Sequence, residues 1–196
     1  MGLPGPLANH QDEFDKYIPT GPFGALAEFG VFNGGASRQL AKYGRTVYAF
    51  DTFEGMPSVG HVAELDSGNP PGKFKPEVPL VDMFKGYPNI RPVVGRFDIT
   101  LPFMSPDICF AFAYIDCDNY QGHKDVLNFL NNRMMRGGVI LLDDPDLAGA
   151  AKAIKEFTNT NPWWQRPANN ILRQDPIDYK TKLAALAKLI DEMRMP

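Results

Sequence analysis

The feature that most constrains this chain is a glycine turn set between two short apolar runs. Residues 25–31 are apolar apart from Glu28, and Gly34-Gly35 follow closely. Residues 36–43 carry helical spacing up to Gly44, and residues 46–50 form a second apolar run that stops at Asp51. Strand, glycine turn, helix, strand is the opening of a doubly wound α/β sheet, mostly parallel and covered by helices on both faces. The same grammar continues downstream. Residues 90–94 read as a third strand closed by Gly95, residues 108–115 as a fourth ending at Asp116, and residues 139–142 as a fifth ending at Asp143-Asp144.

Helices fall between these runs. Residues 120–135 place Val126, Leu127, Leu130 and Met134 on one face, with Gly137-Gly138 as the stop. Residues 148–157 read as another helix and residues 80–85 as a short one. Residues 163–173 suit an antiparallel hairpin turning near Asn169-Asn170. Residues 179–193 form an amphipathic pattern through Leu183, Leu186, Leu189, Ile190 and Met193, suited to core packing or to a homodimer contact. A chain of 196 residues fits one domain with one core. Within 1–196 we expect an N-terminal arm at 1–22, an active-site loop at 52–79 and a C-terminal helix at 178–194. The loop is rich in Gly, Pro and polar residues, and loops of that length inside a domain are usually functional or disordered.

Charge and composition exclude several classes. A net charge of -3 lacks the basic footprint of a nucleic-acid binder. No apolar run reaches the roughly 18 residues that span a bilayer, and residues 1–9 lack the pattern of a signal peptide. The expectation is a cytoplasmic protein with a small-molecule partner. Both cysteines, Cys109 and Cys117, fall in one apolar stretch that reads as a buried strand. Eight residues of strand separate them by about 26 Å, too far to bridge, and both read as small buried hydrophobes.

In open α/β sheets, ligands bind beyond the carboxyl ends of the strands. Three features of this chain end there. Glycines after the first strand let backbone approach a ligand closely and open a helix whose N-terminus favours negative charge. Asp51, about 20 residues on from that turn, is placed to accept hydrogen bonds from ribose hydroxyls. That pair suits a nicotinamide dinucleotide as well, although the spacing is not GxGxxG. Glu28 favours a different cofactor: a buried carboxylate needs a partner, an ammonium group supplies one, and a pyrophosphate is repelled. Asp116, Asp118, Asp143 and Asp144 end neighbouring strands about 4.8 Å apart, where like charges are unfavourable without a cation between them. Hard oxygen ligands point to Mg²⁺ or a similar ion rather than zinc. Such an ion lowers the pKa of an acceptor hydroxyl and orients it. Asp118 is the candidate base, His123 its rival, and His61 a group that loop closure brings over the site.

Taken together, the motifs resemble one family. Glu28-Phe29-Gly30-Val31-Phe32-Asn33-Gly34-Gly35-Ala36-Ser37 is similar to the cofactor turn of the macrocin O-methyltransferase family, which methylates sugar hydroxyls of antibiotics. Asp51-Thr52-Phe53-Glu54-Gly55-Met56-Pro57 resembles its second motif, and Gly95-Arg96-Phe97 with Thr100-Leu101-Pro102 its third. Ile115-Asp116-Cys117-Asp118-Asn119-Tyr120, and Gly137-Gly138-Val139-Ile140 with Asp143-Asp144, resemble the fourth and fifth. The resemblance implies a Rossmann-like class I methyltransferase fold and S-adenosylmethionine as cofactor. It also implies magnesium on Asp116, Asp143 and Asp144, and Asp118 as base. By the same resemblance Glu28, Gly30, Ser37 and Asp51 line the cofactor site, and Phe32, Asn33, Gly34, Thr52, Phe53, Arg96, Phe97 and Asp116, within or beside the same motifs, are further candidates for it. Gln121-Gly122-His123 after Tyr120, and Pro145 after the paired aspartates, depart from the family pattern.

The reaction expected is methyl transfer to a sugar-like or phenolic hydroxyl of a small molecule. Phe53, Met56 and Phe74 are candidate wall residues. Two other readings stand beside it: a cofactor-binding domain without turnover, and a nucleotide-dependent oxidoreductase on the same kind of sheet.

Overall fold

The structure is a computed structural model and describes residues 10–21 and 23–174. Residues 1–9 and 22 of the expected arm and all of the expected C-terminal helix, 178–194, lie outside the described residues. The first described element is a short helix, α1 (Gln11–Tyr17). β1 (Ala25–Phe29), α2 (Gly35–Ala41) and β2 (Val47–Asp51) follow as the sequence predicts. Then come α3 (Leu80–Met83), β3 (Ile90–Val94), α4 (Phe97–Thr100) and a 3-10 turn (Leu101–Phe103). β4 (Phe110–Ile115), α5 (Tyr120–Leu130), β5 (Met134–Leu142), α6 (Ala148–Thr160), β6 (Trp164–Ala168) and β7 (Ile171–Gln174) complete the order.

Among the described residues these strands make one seven-stranded sheet in the order β3-β2-β1-β4-β5-β7-β6. The first five are parallel, and β7 pairs antiparallel with both β5 and β6. Parallel strands carry helices on both faces, so their side chains are buried on both. β4 is buried at all six positions. On one face Ala27, Phe29, Ala113 and Ile115 pack with Val126, Leu127 and Leu130 of α5 and Ile154 and Phe157 of α6. On the other, Leu26, Val47, Phe112 and Tyr114 pack with Phe14 of α1, Leu40 of α2 and Met83 of α3. The sequence order of strands reverses between β1 and β4, the crevice position at which such sheets bind ligands.

Three expectations change. The helix predicted over 120–135 ends at Leu130, and Met134 already belongs to β5, opposite Phe110. Its helical spacing with Leu130 is incidental, because the strand ladder claims its backbone. Gly137, at φ 76, therefore stops no helix: it sits where β5 is irregular against β4 between Phe110 and Phe112. Cys109 is exposed just before β4, whereas Cys117 is buried, and both are free. The hairpin at 163–173 forms with its turn at Asn169-Asn170. The indole N–H groups of Trp163 and Trp164 both donate to Asn131 Oδ1, at 3.1 and 2.8 Å, tying the hairpin to the end of α5.

Candidate active site

The strand ends are brought together by the parallel ladder itself. Gly30 N donates to Phe50 O (3.0 Å), Asp116 N to Phe29 O (2.8 Å) and Asp143 N to Ile115 O (2.9 Å). Each residue after a strand is thereby fixed beside its neighbour. Gly30 is required there: at φ 90, a Cβ would lie 1.9 Å from Asp116 O. A cavity of about 790 Å³ opens above these ends, within the usual range for a small-molecule site. Gly30, Phe32, Asp51, Thr52, Arg96, Phe97, Asp116, Asp118, Asp143 and Asp144 line it, as do Met56 and Phe74.

Asp51 already has partners. Its Oδ2 accepts from Val31 N (2.6 Å) and Phe32 N (3.2 Å), and its Oδ1 from Phe53 N (2.7 Å). It therefore braces the glycine turn against the end of β2. Arg96 is engaged as well, in a two-pronged pair with Asp98 at 3.0 and 2.6 Å.

Several expected residues do not reach the cavity wall. Glu28, Asn33, Gly34, Ser37 and Phe53 are absent from its lining. Alternation along β1 turns Glu28 away from the face of Ala27 and Phe29, and it is buried. There it accepts the Ser37 hydroxyl at the start of α2. Burial pushes its carboxyl up to about 8, and the Ser37 bond opposes that only in part. Asn33 Oδ1 instead accepts Glu77 N at 2.9 Å and anchors the far end of the long loop.

The two histidines are also corrected. His123, the rival base, does not reach the cavity: it is 2% exposed, and its Nδ1 is 2.9 Å from Asn119 O. Burial lowers its pKa, so it stays neutral inside. The signal was in the sequence, since His123 falls one turn before Val126 and Leu127 on the buried face of α5. His61 does not line the cavity either.

The aspartates share the cavity but differ in setting. Burial, then repulsion from Asp143 and Asp118, pushes the Asp116 carboxyl well up. Asp118 is raised to about 6 by burial and by Asp144 and Asp143, with Lys73 pulling the other way. Asp143 Oδ1 accepts the Tyr114 hydroxyl at 2.5 Å. Among the described residues, no three His, Cys, Asp or Glu side chains have the geometry to hold a metal ion. Asp116, Asp143 and Asp144 as arranged thus do not make the expected magnesium site. Sequence reasoning missed Asn69, Lys73, Gln121 and Asp125, which also line the cavity. The loop residues among them carry no periodicity to reveal them. Gln121 and Asp125 are one turn apart on α5 and bonded at 2.8 Å.

Fold and site together define the class. A mostly parallel sheet with an antiparallel end, and a cavity at its switch point, is the architecture of class I methyltransferases. The family model for macrocin-O-methyltransferase (TylF) matches residues 6–171, and the chain belongs to that family. A curated relative is the 8-demethyl-8-(2,3-dimethoxy-alpha-L-rhamnosyl)-tetracenomycin-C 4'-O-methyltransferase of Streptomyces olivaceus. It is 29% identical over 168 residues, 77% of this chain, and the match spans 64% of that relative's length. Two solved structures share the fold. The calicheamicin methyltransferase CalS11 gives a TM-score of 0.68 at 22% identity over 86% of this chain and 77% of its own. The O-methyltransferase NovP gives 0.62 at 23% identity over 86% of this chain and 76% of its own. Among the described residues, no helix is long and apolar enough to cross a membrane.

Proposed function

We propose that this chain transfers a methyl group from S-adenosylmethionine to a hydroxyl of a sugar-bearing small molecule. The observation that carries the reading is one cavity, at the switch point of the sheet, that gathers Gly30, Asp51, Asp116 and Asp118 from three strand ends. Family membership gives the reaction class. The Streptomyces relative, named for methylating a rhamnosyl unit, supports a glycoside as acceptor.

The cofactor, when bound, supplies an electrophilic methyl: the acceptor oxygen forms the new O–C bond as the S–C bond breaks, leaving S-adenosylhomocysteine and a methyl ether. The chain's own residues bind, aim and take the proton. Gly30 keeps the floor free of side-chain atoms. Asp51 holds the backbone of the turn at the cavity wall. Asp118 accepts the acceptor's hydroxyl proton, and its raised pKa keeps it a usable base near neutral pH. Met56, Phe32 and Phe74 give the cavity an apolar side for the rest of the acceptor. No covalent enzyme intermediate is needed, so positioning carries the catalysis.

Magnesium is a separate part of the proposal. Crowded carboxylates support it, and a rearrangement of the Asp116, Asp143 and Asp144 side chains is what it requires. Calorimetry with S-adenosylmethionine, followed by transfer of labelled methyl to rhamnosylated acceptors with and without chelator, tests both parts. Binding without transfer to any glycoside or phenol sinks the enzyme reading and leaves a cofactor-binding domain. Full activity in chelator removes magnesium alone.

A further inference from the structure

The loop 52–79 does more than cover the cavity. Its two arms are joined where Met56 N donates to Lys73 O and Gly72 N to Met56 O, both at 2.8 Å. From this base the loop reaches the end of β4. Asp66 is buried, and its carboxylate accepts Val62 N and Tyr120 N, both at 2.9 Å. Asn69 is also buried, and its Nδ2 donates to Asp118 O at 3.0 Å. Its Oδ1 accepts from Lys73 Nζ at 2.7 Å.

Lys73 decides which way that amide faces. An ammonium can only donate, so the amide oxygen must point at Lys73 and the amide nitrogen at Asp118 O. Lys73 is itself held by Gly68 O at 3.0 Å and lies 4.4 Å from the centre of the Phe74 ring. The carbonyl at the end of this relay belongs to a residue in an unusual state. Asp118 has φ 56, in the left-handed region that residues with a Cβ enter only when surroundings over-determine them. Asn69 and Asp66 supply that constraint from both sides, at Asp118 O and Tyr120 N.

We propose that Asn69, its amide oriented by Lys73, is a positioning residue that acts through Asp118, locking the backbone that aims this carboxylate at the acceptor. The inference rests on the methyl-transfer reading above and adds to it two loop residues with no chemistry of their own. Reacting groups must be held to within a fraction of an ångström, so a base on an unsecured left-handed turn is poorly aimed.

The test is a double-mutant cycle in the full chain, with Asn69→Ala and Asp118→Asn. Asn69→Ala is expected to lower kcat by about ten- to a hundredfold, with S-adenosylmethionine affinity within about twofold of wild type. In the Asp118→Asn background the same change is expected to add little further loss. Unchanged kcat in Asn69→Ala, or an equal fold-loss in both backgrounds, overturns the inference, because the second result marks a structural role independent of Asp118. Lys73→Met keeps the stem over Phe74 but frees the amide to flip. It should lose kcat in the same direction, and it reads out even where Asn69→Ala fails to fold. A wild-type chain that methylates no acceptor is seen before any variant is compared, and it sinks the parent reading rather than this step alone.

Discussion

At the scale of single residues, two positions carry sharp expectations. With its pKa near 6, Asp118 must lose its proton to act as base, so turnover should rise with pH through that value. Asp118→Asn should abolish this acid limb in a pH–rate profile and slow turnover while leaving cofactor affinity in place. A limb that persists in the variant moves the base elsewhere. Gly30→Ala forces a methyl into the Asp116 carbonyl at a φ of 90. It should destabilise by at least about 1–3 kcal/mol, read as a shift in urea midpoint. The sequence made the strand-end aspartates and Gly30 legible, because a strand's end is written in its pattern. It did not reveal Asn69 or Lys73. Their importance comes from contacts 49 and 4 residues away, and no local pattern encodes the first of these.

At the scale of elements, the long loop is the part least like its expectation. The sequence marked it as an active-site loop, functional or disordered, whereas Asp66, Asn69 and Asn33 pin it to α5, to Asp118 beyond β4 and to the glycine turn. Asp66→Ala leaves the Val62 and Tyr120 N–H groups unpaired. It should cost about 1–3 kcal/mol in urea unfolding and open residues 60–70 to limited proteolysis. Proteolysis no faster than in wild type would show that the loop is held by other contacts. The boundary of α5 was misread for a related reason. Helical periodicity runs on through Met134, but pairing with β4 claims that residue for β5. Glu28 shows the same limit: its buried carboxyl was legible, while its partner, the Ser37 hydroxyl, follows from how α2 sits on β1.

At the scale of the whole molecule, the sheet sets a dependence of stability on pH. Glu28 has an ordinary pKa of 4.5 and is raised to about 8 in the fold. Between those values the unfolded chain has released its proton and the folded chain has kept it, so unfolding releases protons and rising pH favours it. The stabilisation is full below about 4.5 and is lost as pH climbs through about 8. Asp116 is shifted in the same direction. Urea midpoints should therefore fall from about pH 5 to about pH 9, and Glu28→Gln should flatten the slope. A slope unchanged in that variant assigns the effect to the aspartates. The sequence by itself determined the α/β class, the five parallel strands and the acidic groups at their ends, because these follow from periodicity and from where apolar runs stop. Only the tertiary structure decided which of those groups face the cavity, and that the buried Glu28 meets the Ser37 hydroxyl instead of lining it. It alone also showed that a distant loop holds Asp118 in place. Side-chain direction and long-range hydrogen bonds depend on how elements pack, and packing joins residues that the chain keeps far apart.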